Sequence, residues 1–175
     1  MTRTLADRVV ATLRDVEDFP EPGVTFKDIT PVIADAELLA EVVRAHARPW
    51  HGKVDMVAGL EARGFIFGTA VALELGVGFL PVRKAGKLPG PTVGVDYALE
   101  YGTARVEVHG GDLPDGARVL VVDDVLATGG TAAAGCELIE HCGGRVAGVE
   151  VLIEIASLTG RALLAGRDVR SLATV

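Results

Sequence analysis

The chain has 175 residues, 49% apolar and 23% charged, enough for one domain, 1–175, with a substantial buried core. Its 17 basic and 24 acidic residues leave a net charge of −7, which argues against nucleic acid or an anionic membrane surface as a partner. Met1 to Val10 carries charges and no apolar h-region, so no signal peptide is expected, and no apolar run approaches the ~20 residues that span a bilayer.

Leu5, Val9, Val10, Leu13 and Val16 recur at helical spacing and predict a first helix ending before Phe19-Pro20-Glu21-Pro22-Gly23, where two prolines fix the backbone direction. Val24 to Pro31 follows. Asp35 reads as the N-cap of a helix through His46, stopped by Pro49, and Trp50 reads as a packed residue. Val54 to Ala58 predicts the first sheet strand, running into Gly59-Leu60-Glu61-Ala62-Arg63-Gly64 and an apolar helix from Phe65 to Leu75. The glycines there let a ligand approach the backbone and Arg63 supplies charge, so this turn is a candidate anion site. Phe79 to Val82 predicts another strand. From Arg83 to Gly102 the hydrophobic period breaks down: Arg83, Lys84 and Lys87 supply cations, and Gly86, Pro89, Gly90, Pro91 and Gly94 deny regular structure. A segment this long and irregular reads as a lid or binding loop; a surface loop with solvating lysines is the alternative. Thr103 to His109 alternates like a half-exposed strand.

The chain is organised around Val119 to Thr131. Val119 to Val122 predicts a strand buried on both faces, closed by Asp123 and Asp124. Ala127, Thr128, Gly129, Gly130 and Thr131 then precede a helical pattern from Ala132 to His141. A strand, a small-residue turn and a helix start place backbone N–H groups and the positive helix end together, which makes a phosphate cradle. Carboxylates beside such a site repel the ligand unless they bind vicinal hydroxyls or a cation, and a sugar phosphate satisfies both halves. The plain alternative is a strand–helix turn with Asp for solubility and Gly for close packing. The turn is not a Walker loop, since no Gly-Lys-Ser/Thr follows, and no G-x-G-x-x-G occurs. Gly143 and Gly144 cap the helix, Val146 to Ile153 predicts a last long strand, and Leu158 to Leu164 a short helix. Strands alternating with helices predict an α/β domain with a mostly parallel twisted sheet flanked by helices, its ligand at the carboxyl ends of the strands.

Cys136 and Cys142 lie six apart, a poor spacing for a bridge or a zinc site, so reduced thiols and a cytoplasmic location are expected. The chain contains no Asn and no Gln, the usual side-chain readers of adenine edges, so a purine site here must read its ligand largely with main-chain groups.

The segment Val119 to Thr131 resembles the phosphoribosyl-pyrophosphate (PRPP) signature of the type I phosphoribosyltransferases, and the resemblance to their adenine-using branch covers nearly the whole chain. It implies a type I phosphoribosyltransferase fold with a small N-terminal hood within residues 1–34 and a flexible catalytic lid at 83–102. It implies transfer of the phosphoribosyl group of PRPP to adenine, giving AMP and pyrophosphate, with Mg²⁺ carried on PRPP and water, and a homodimer. In that resemblance Ala127 to Thr131 take the 5′-phosphate and Asp123 and Asp124 face the ribose hydroxyls. Arg63, Arg83, Lys84 and Lys87 are candidates for pyrophosphate, and Glu100, in Leu99-Glu100-Tyr101-Gly102, matches the general acid/base. Thr25, Phe26 and Lys27 match the adenine-reading segment, with Ile155 on the opposite face of the base. The direction of the Lys27 side chain and a cis peptide at Glu61–Ala62 stay open. Two other readings stay open as well: a hypoxanthine/guanine phosphoribosyltransferase, and a PRPP-sensing regulator, which would need a basic face or an added module.

Overall fold

A computed structural model describes residues 3–98 and 102–175. Helix α1 (Leu5–Thr12) opens on a capping box in which the Thr4 hydroxyl accepts from the Asp7 amide and the Asp7 carboxylate accepts from the Thr4 amide. It stops short of Val16 because Arg14–Val16 (β1) pairs antiparallel with Phe26–Asp28 (β2), and that pairing overrides the helical spacing of Leu13 and Val16. After a short helix α2 (Thr30–Ala34), Asp35 caps α3 (Ala36–Ala47) by accepting from the amides of Glu37 and Leu38. α3 ends two residues before Pro49, which sits in a 3₁₀ turn, Arg48–Trp50, that delivers Trp50 into the core.

The main sheet has seven strands: β3 (Met56–Leu60), β4 (Gly78–Lys84), β5 (Val93–Ala98), β6 (Thr103–Val108), β7 (Arg118–Leu126), β8 (Arg145–Glu154) and β9 (Val169–Thr174). Their order is β5-β6-β4-β3-β7-β8-β9; β4, β3, β7, β8 and β9 run parallel, and the β5–β6 hairpin adds to β4 antiparallel. Period-two alternation gives each face its own core. Ala58, Leu60, Val119 and Val121 pack with α5 (Gly130–His141), whereas Val57, Leu120, Val122 and Leu152 pack with α3 and α4 (Gly64–Leu75).

Further expectations change. The stretch 83–102 is not irregular throughout: β4 runs to Lys84, and Val93–Ala98 pairs residue for residue with Thr103–Val108. The central strand does not stop at Val122; β8 runs alongside it as far as Leu126, so the Asp doublet lies within extended, paired backbone. Val146 to Ile153 is not the last strand, because β9 follows it, and the segment 158–164 is two 3₁₀ turns, Ala156–Leu158 and Gly160–Leu164.

Candidate active site

β3 and β7 are central neighbours whose following helices, α4 and α5, cover opposite faces of the sheet. A crevice opens where such connections part company at the carboxyl ends of the strands. Here it is a cavity of about 900 Å³, and the β1–β2 ribbon forms one wall through Thr25, Phe26 and Lys27. Asp123, Asp124, Ala127 and Thr131 line the floor, Glu61, Ala62 and Arg63 one side, and Ile155, Ser157 and Leu158 the other. A smaller hollow of about 80 Å³ continues from it, lined by Asp123 and the turn from Ala127 to Thr131.

That hollow is the start of α5. Gly129 is the N-cap residue with φ of +86°, a backbone conformation that a side chain strains, and it offers no side-chain cap. The first-turn amides are therefore left for a ligand, with the positive end of the helix behind them. Thr128 is exposed beside them, and the Thr131 hydroxyl lies 3.3 Å from the hydroxyl of Tyr97 on β5.

The carboxylates sit at the junction of the two hollows. The Asp124 amide donates to Asp123 Oδ1 at 2.9 Å. Burial, followed by the charge of Asp124, pushes the Asp123 carboxyl well above the ordinary range. Gly64 makes room for it, since a Cβ there would lie 2.8 Å from Asp123 Oδ1 and from the Val122 carbonyl. Arg63 Nε lies 2.6 Å from Asp124 Oδ2, but its N–H does not aim at that oxygen, which has no hydrogen-bond donor among the described residues. The same guanidinium lies 4.9 Å from the centre of the Phe26 ring, which Phe19 meets edge-on at 5.2 Å. One cation thus spans the aromatic wall and the acidic floor.

A family model described as "Phosphoribosyl transferase domain" matches residues 26–164. The chain belongs to the phosphoribosyltransferase family. It is 55% identical over 173 residues to the adenine phosphoribosyltransferase of Thermobifida fusca, covering 98% of this chain and 97% of that one. The crystal structure of adenine phosphoribosyltransferase from Thermoanaerobacter pseudethanolicus superposes with a TM-score of 0.94 at 46% identity, over 98% of this chain and 100% of the other. The Saccharomyces cerevisiae enzyme, solved with adenine and an imino-altritol bisphosphate, has a TM-score of 0.91 at 37% identity, over 96% and 98% of the two chains.

Within this phosphoribosyltransferase fold the cavity collects most of the residues singled out in the sequence. Thr25, Phe26, Lys27, Arg63, Lys84, Asp123, Asp124, Ala127, Thr131 and Ile155 line it, and Thr128, Gly129 and Gly130 line the adjoining hollow. Arg83 and Lys87 do not line either. Arg83 instead donates to Glu61 and to the Lys87 carbonyl, and so braces the turn that carries Arg63. Glu100 lies outside the described residues. The Lys27 ammonium turns to Asp15, at 2.8 and 2.9 Å from its two oxygens. The Glu61–Ala62 peptide is cis. Tyr97 was not among the expected site residues, although Val93, Val95 and Tyr97 alternate as a strand does, and neither was Gly160, whose contact with the loop leaves no mark in residue spacing.

Proposed function

We propose that the chain performs purine salvage, transferring the 5-phosphoribosyl group from PRPP to adenine to give AMP and pyrophosphate. The observation that carries this reading is a cavity walled by Phe26 and lined by the carboxylate pair that adjoins, through Asp123, a hollow lined by the amide turn, the order in which base, ribose and phosphate are connected. Displacement at the anomeric carbon builds positive charge on the ribose, so positioning and a fixed negative field supply most of the acceleration.

In this reading the amides of Ala127 to Thr131 hold the 5′-phosphate. The ribose hydroxyls donate to the carboxylates of Asp123 and Asp124, which line the cavity. Adenine stacks on Phe26, with Ile155 opposite. Main-chain groups of Thr25 and Lys27 read its edge, because Asp15 holds the Lys27 side chain and the chain has no Asn or Gln. Arg63 and Lys84, which line the cavity, receive the pyrophosphate, while Arg83, held by Glu61 and the Lys87 carbonyl, braces the turn; Glu100 handles the proton on the base.

Mg²⁺ fits as a passenger on PRPP. Carried on PRPP, the cation would be held by oxygens of that substrate and by water, and would screen the leaving group. Both cysteines are free, in keeping with a reducing cytoplasm. No described helix is long and apolar enough to cross a membrane.

Pyrophosphate release from PRPP and Mg²⁺, measured in parallel with adenine, hypoxanthine, guanine and uracil, tests the reading. Turnover with adenine alone is expected; faster turnover with hypoxanthine or guanine would assign the site to 6-oxopurines.

The homodimer has a candidate face. Helix α4 carries only Thr69 and Glu74 as polar side chains, yet Leu73 is 77% exposed and Ile66 41% exposed, a pattern that suits a helix covered on both sides. Leu73→Glu is expected to convert a dimer to a monomer in sedimentation velocity. A wild-type protein that sediments as a monomer, or a variant that stays dimeric, would remove α4 from the interface.

A further inference from the structure

We propose that Gly160 is a positioning residue for the 5′-phosphate loop, an inference that rests on Ala127–Thr131 being that loop. Gly160 is buried directly behind it. A Cβ on Gly160 would overlap the Ala127 carbonyl oxygen and come within 2.8 Å of the Gly129 nitrogen and the Thr128 carbonyl carbon. The contact is reciprocal, since a Cβ on Gly129 would overlap the Gly160 carbonyl. Two stretches of bare backbone therefore lie against each other, and the peptide planes of 127–129 take their tilt from the turn at 160. The direction of the loop's N–H groups is fixed by those planes.

The turn is held from elsewhere, which makes it a support rather than a passenger. Thr159 takes a left-handed conformation (φ +51°) that aims Gly160 at the loop. Arg161 then grips β8 and β9: its guanidinium donates to the Glu154 carboxylate, to the Val169 carbonyl at 2.6 Å and to Ser171 Oγ at 3.4 Å. Upstream, the Ile155 amide donates to the Leu126 carbonyl at 2.9 Å, and Ile155, Ser157 and Leu158 line the base end of the cavity. One short segment, 155–160, thus touches both the base wall and the back of the phosphate loop, and sets how far apart the two ends of a nucleotide are held.

Gly160→Ala pushes the loop toward the ligand, and displacement of about 1 Å in a positioned group costs up to ~10²-fold. AMP and adenosine binding measured by calorimetry separates this effect from general damage, because the two ligands differ only in the phosphate. Wild-type protein is expected to prefer AMP; equal affinities there would overturn the phosphate-loop reading itself. With that preference present, Gly160→Ala is expected to reduce it by ~10-fold or more and to raise the KM for PRPP, leaving adenosine affinity and the KM for adenine unchanged. An unchanged preference, or equal losses for AMP and adenosine, overturns the role of Gly160. Arg161→Ala adds no atoms and loosens the same turn from β8 and β9. It is expected to reduce the AMP preference by ~3-fold, and if Gly160→Ala does not fold, an unchanged preference in Arg161→Ala overturns the proposal.

Discussion

Asp124→Asn is expected to lower kcat by roughly 10²-fold or more, with a much smaller loss in AMP affinity. Asparagine keeps the shape of the side chain and its Oδ1 still accepts a hydrogen bond, so the ribose stays in place. The negative charge beside the ribose is what disappears. Asp124 is buried, with the Arg63 guanidinium beside it, and its neighbour Asp123 is pushed toward its protonated form by burial and by Asp124 itself, so Asp124 is the main acidic charge at the ribose. Positive charge growing on the ribose is then stabilised by a fixed group that needs no rearrangement. Steady-state kinetics with saturating adenine and PRPP measures the effect, and thermal unfolding of the variant confirms the fold. Wild-type turnover in a folded Asp124→Asn protein would reject the assignment of the carboxylate pair.

Two buried groups far from the ligand are expected to oppose each other in the pH dependence of stability. His46, on α3, stacks near Phe67 at 6.3 Å, and neither ring nitrogen has a hydrogen-bond partner among the described residues. Burial lowers its pKa from 6.5 to about 4, so between those values the unfolded chain binds the proton and the folded one does not. Its share of stability is intact above pH 6.5 and is lost as the pH falls toward 4. Glu150, on β8, accepts from Trp50 Nε1 at 2.7 Å under a Trp50 ring that also carries Arg170, 4.9 Å from its centre. Burial raises its pKa from 4.5 to about 7, against the hydrogen bond from Trp50, so the folded chain holds the proton and stability declines as the pH rises through that interval. Asp123 titrates in the same sense as Glu150. Between pH 5 and 6.5, His46→Leu is expected to tilt the stability difference by roughly 2 kcal/mol toward the acid side, and Glu150→Gln by a similar amount toward neutral pH. Urea unfolding of the three proteins at both pH values provides the comparison. Parallel pH dependences in all three would contradict the account.

How much of this was legible in the residues depends on whether a feature is carried by spacing or by pairing. The strand–turn–helix units at 54–75 and 119–141 show themselves through apolar runs punctuated by Gly, and both fall at the carboxyl ends of neighbouring strands. The carboxylate pair and the amide turn meet in the structure because they are adjacent in the chain. What hides from a linear reading is decided across space. β1 competes with α1 for Leu13 to Val16 and wins only because β2 is beside it. β9, an edge strand carrying Arg170 and Ser171, has too little alternation to stand out and is defined by β8. Tyr97 reaches the Thr131 hydroxyl only because the hairpin folds back over α5. Gly160 is a single residue whose meaning comes wholly from the backbone it touches. Arg83 and Lys87 read as ligand cations by charge alone, whereas in the structure Arg83 is occupied by Glu61 and the Lys87 carbonyl.

The central claim is that peptide nitrogens of residues 127–131 grip the phosphorylated end of the sugar while Asp123 and Asp124 hold its diol. A crystal structure of the protein soaked with AMP tests it most directly. The expected density places the phosphate on the amides at the start of α5, the ribose hydroxyls on the two carboxylates and the base between Phe26 and Ile155. A nucleotide lodged elsewhere, or bound with its phosphate turned toward Arg63 and its base over the turn at Gly129, would contradict it.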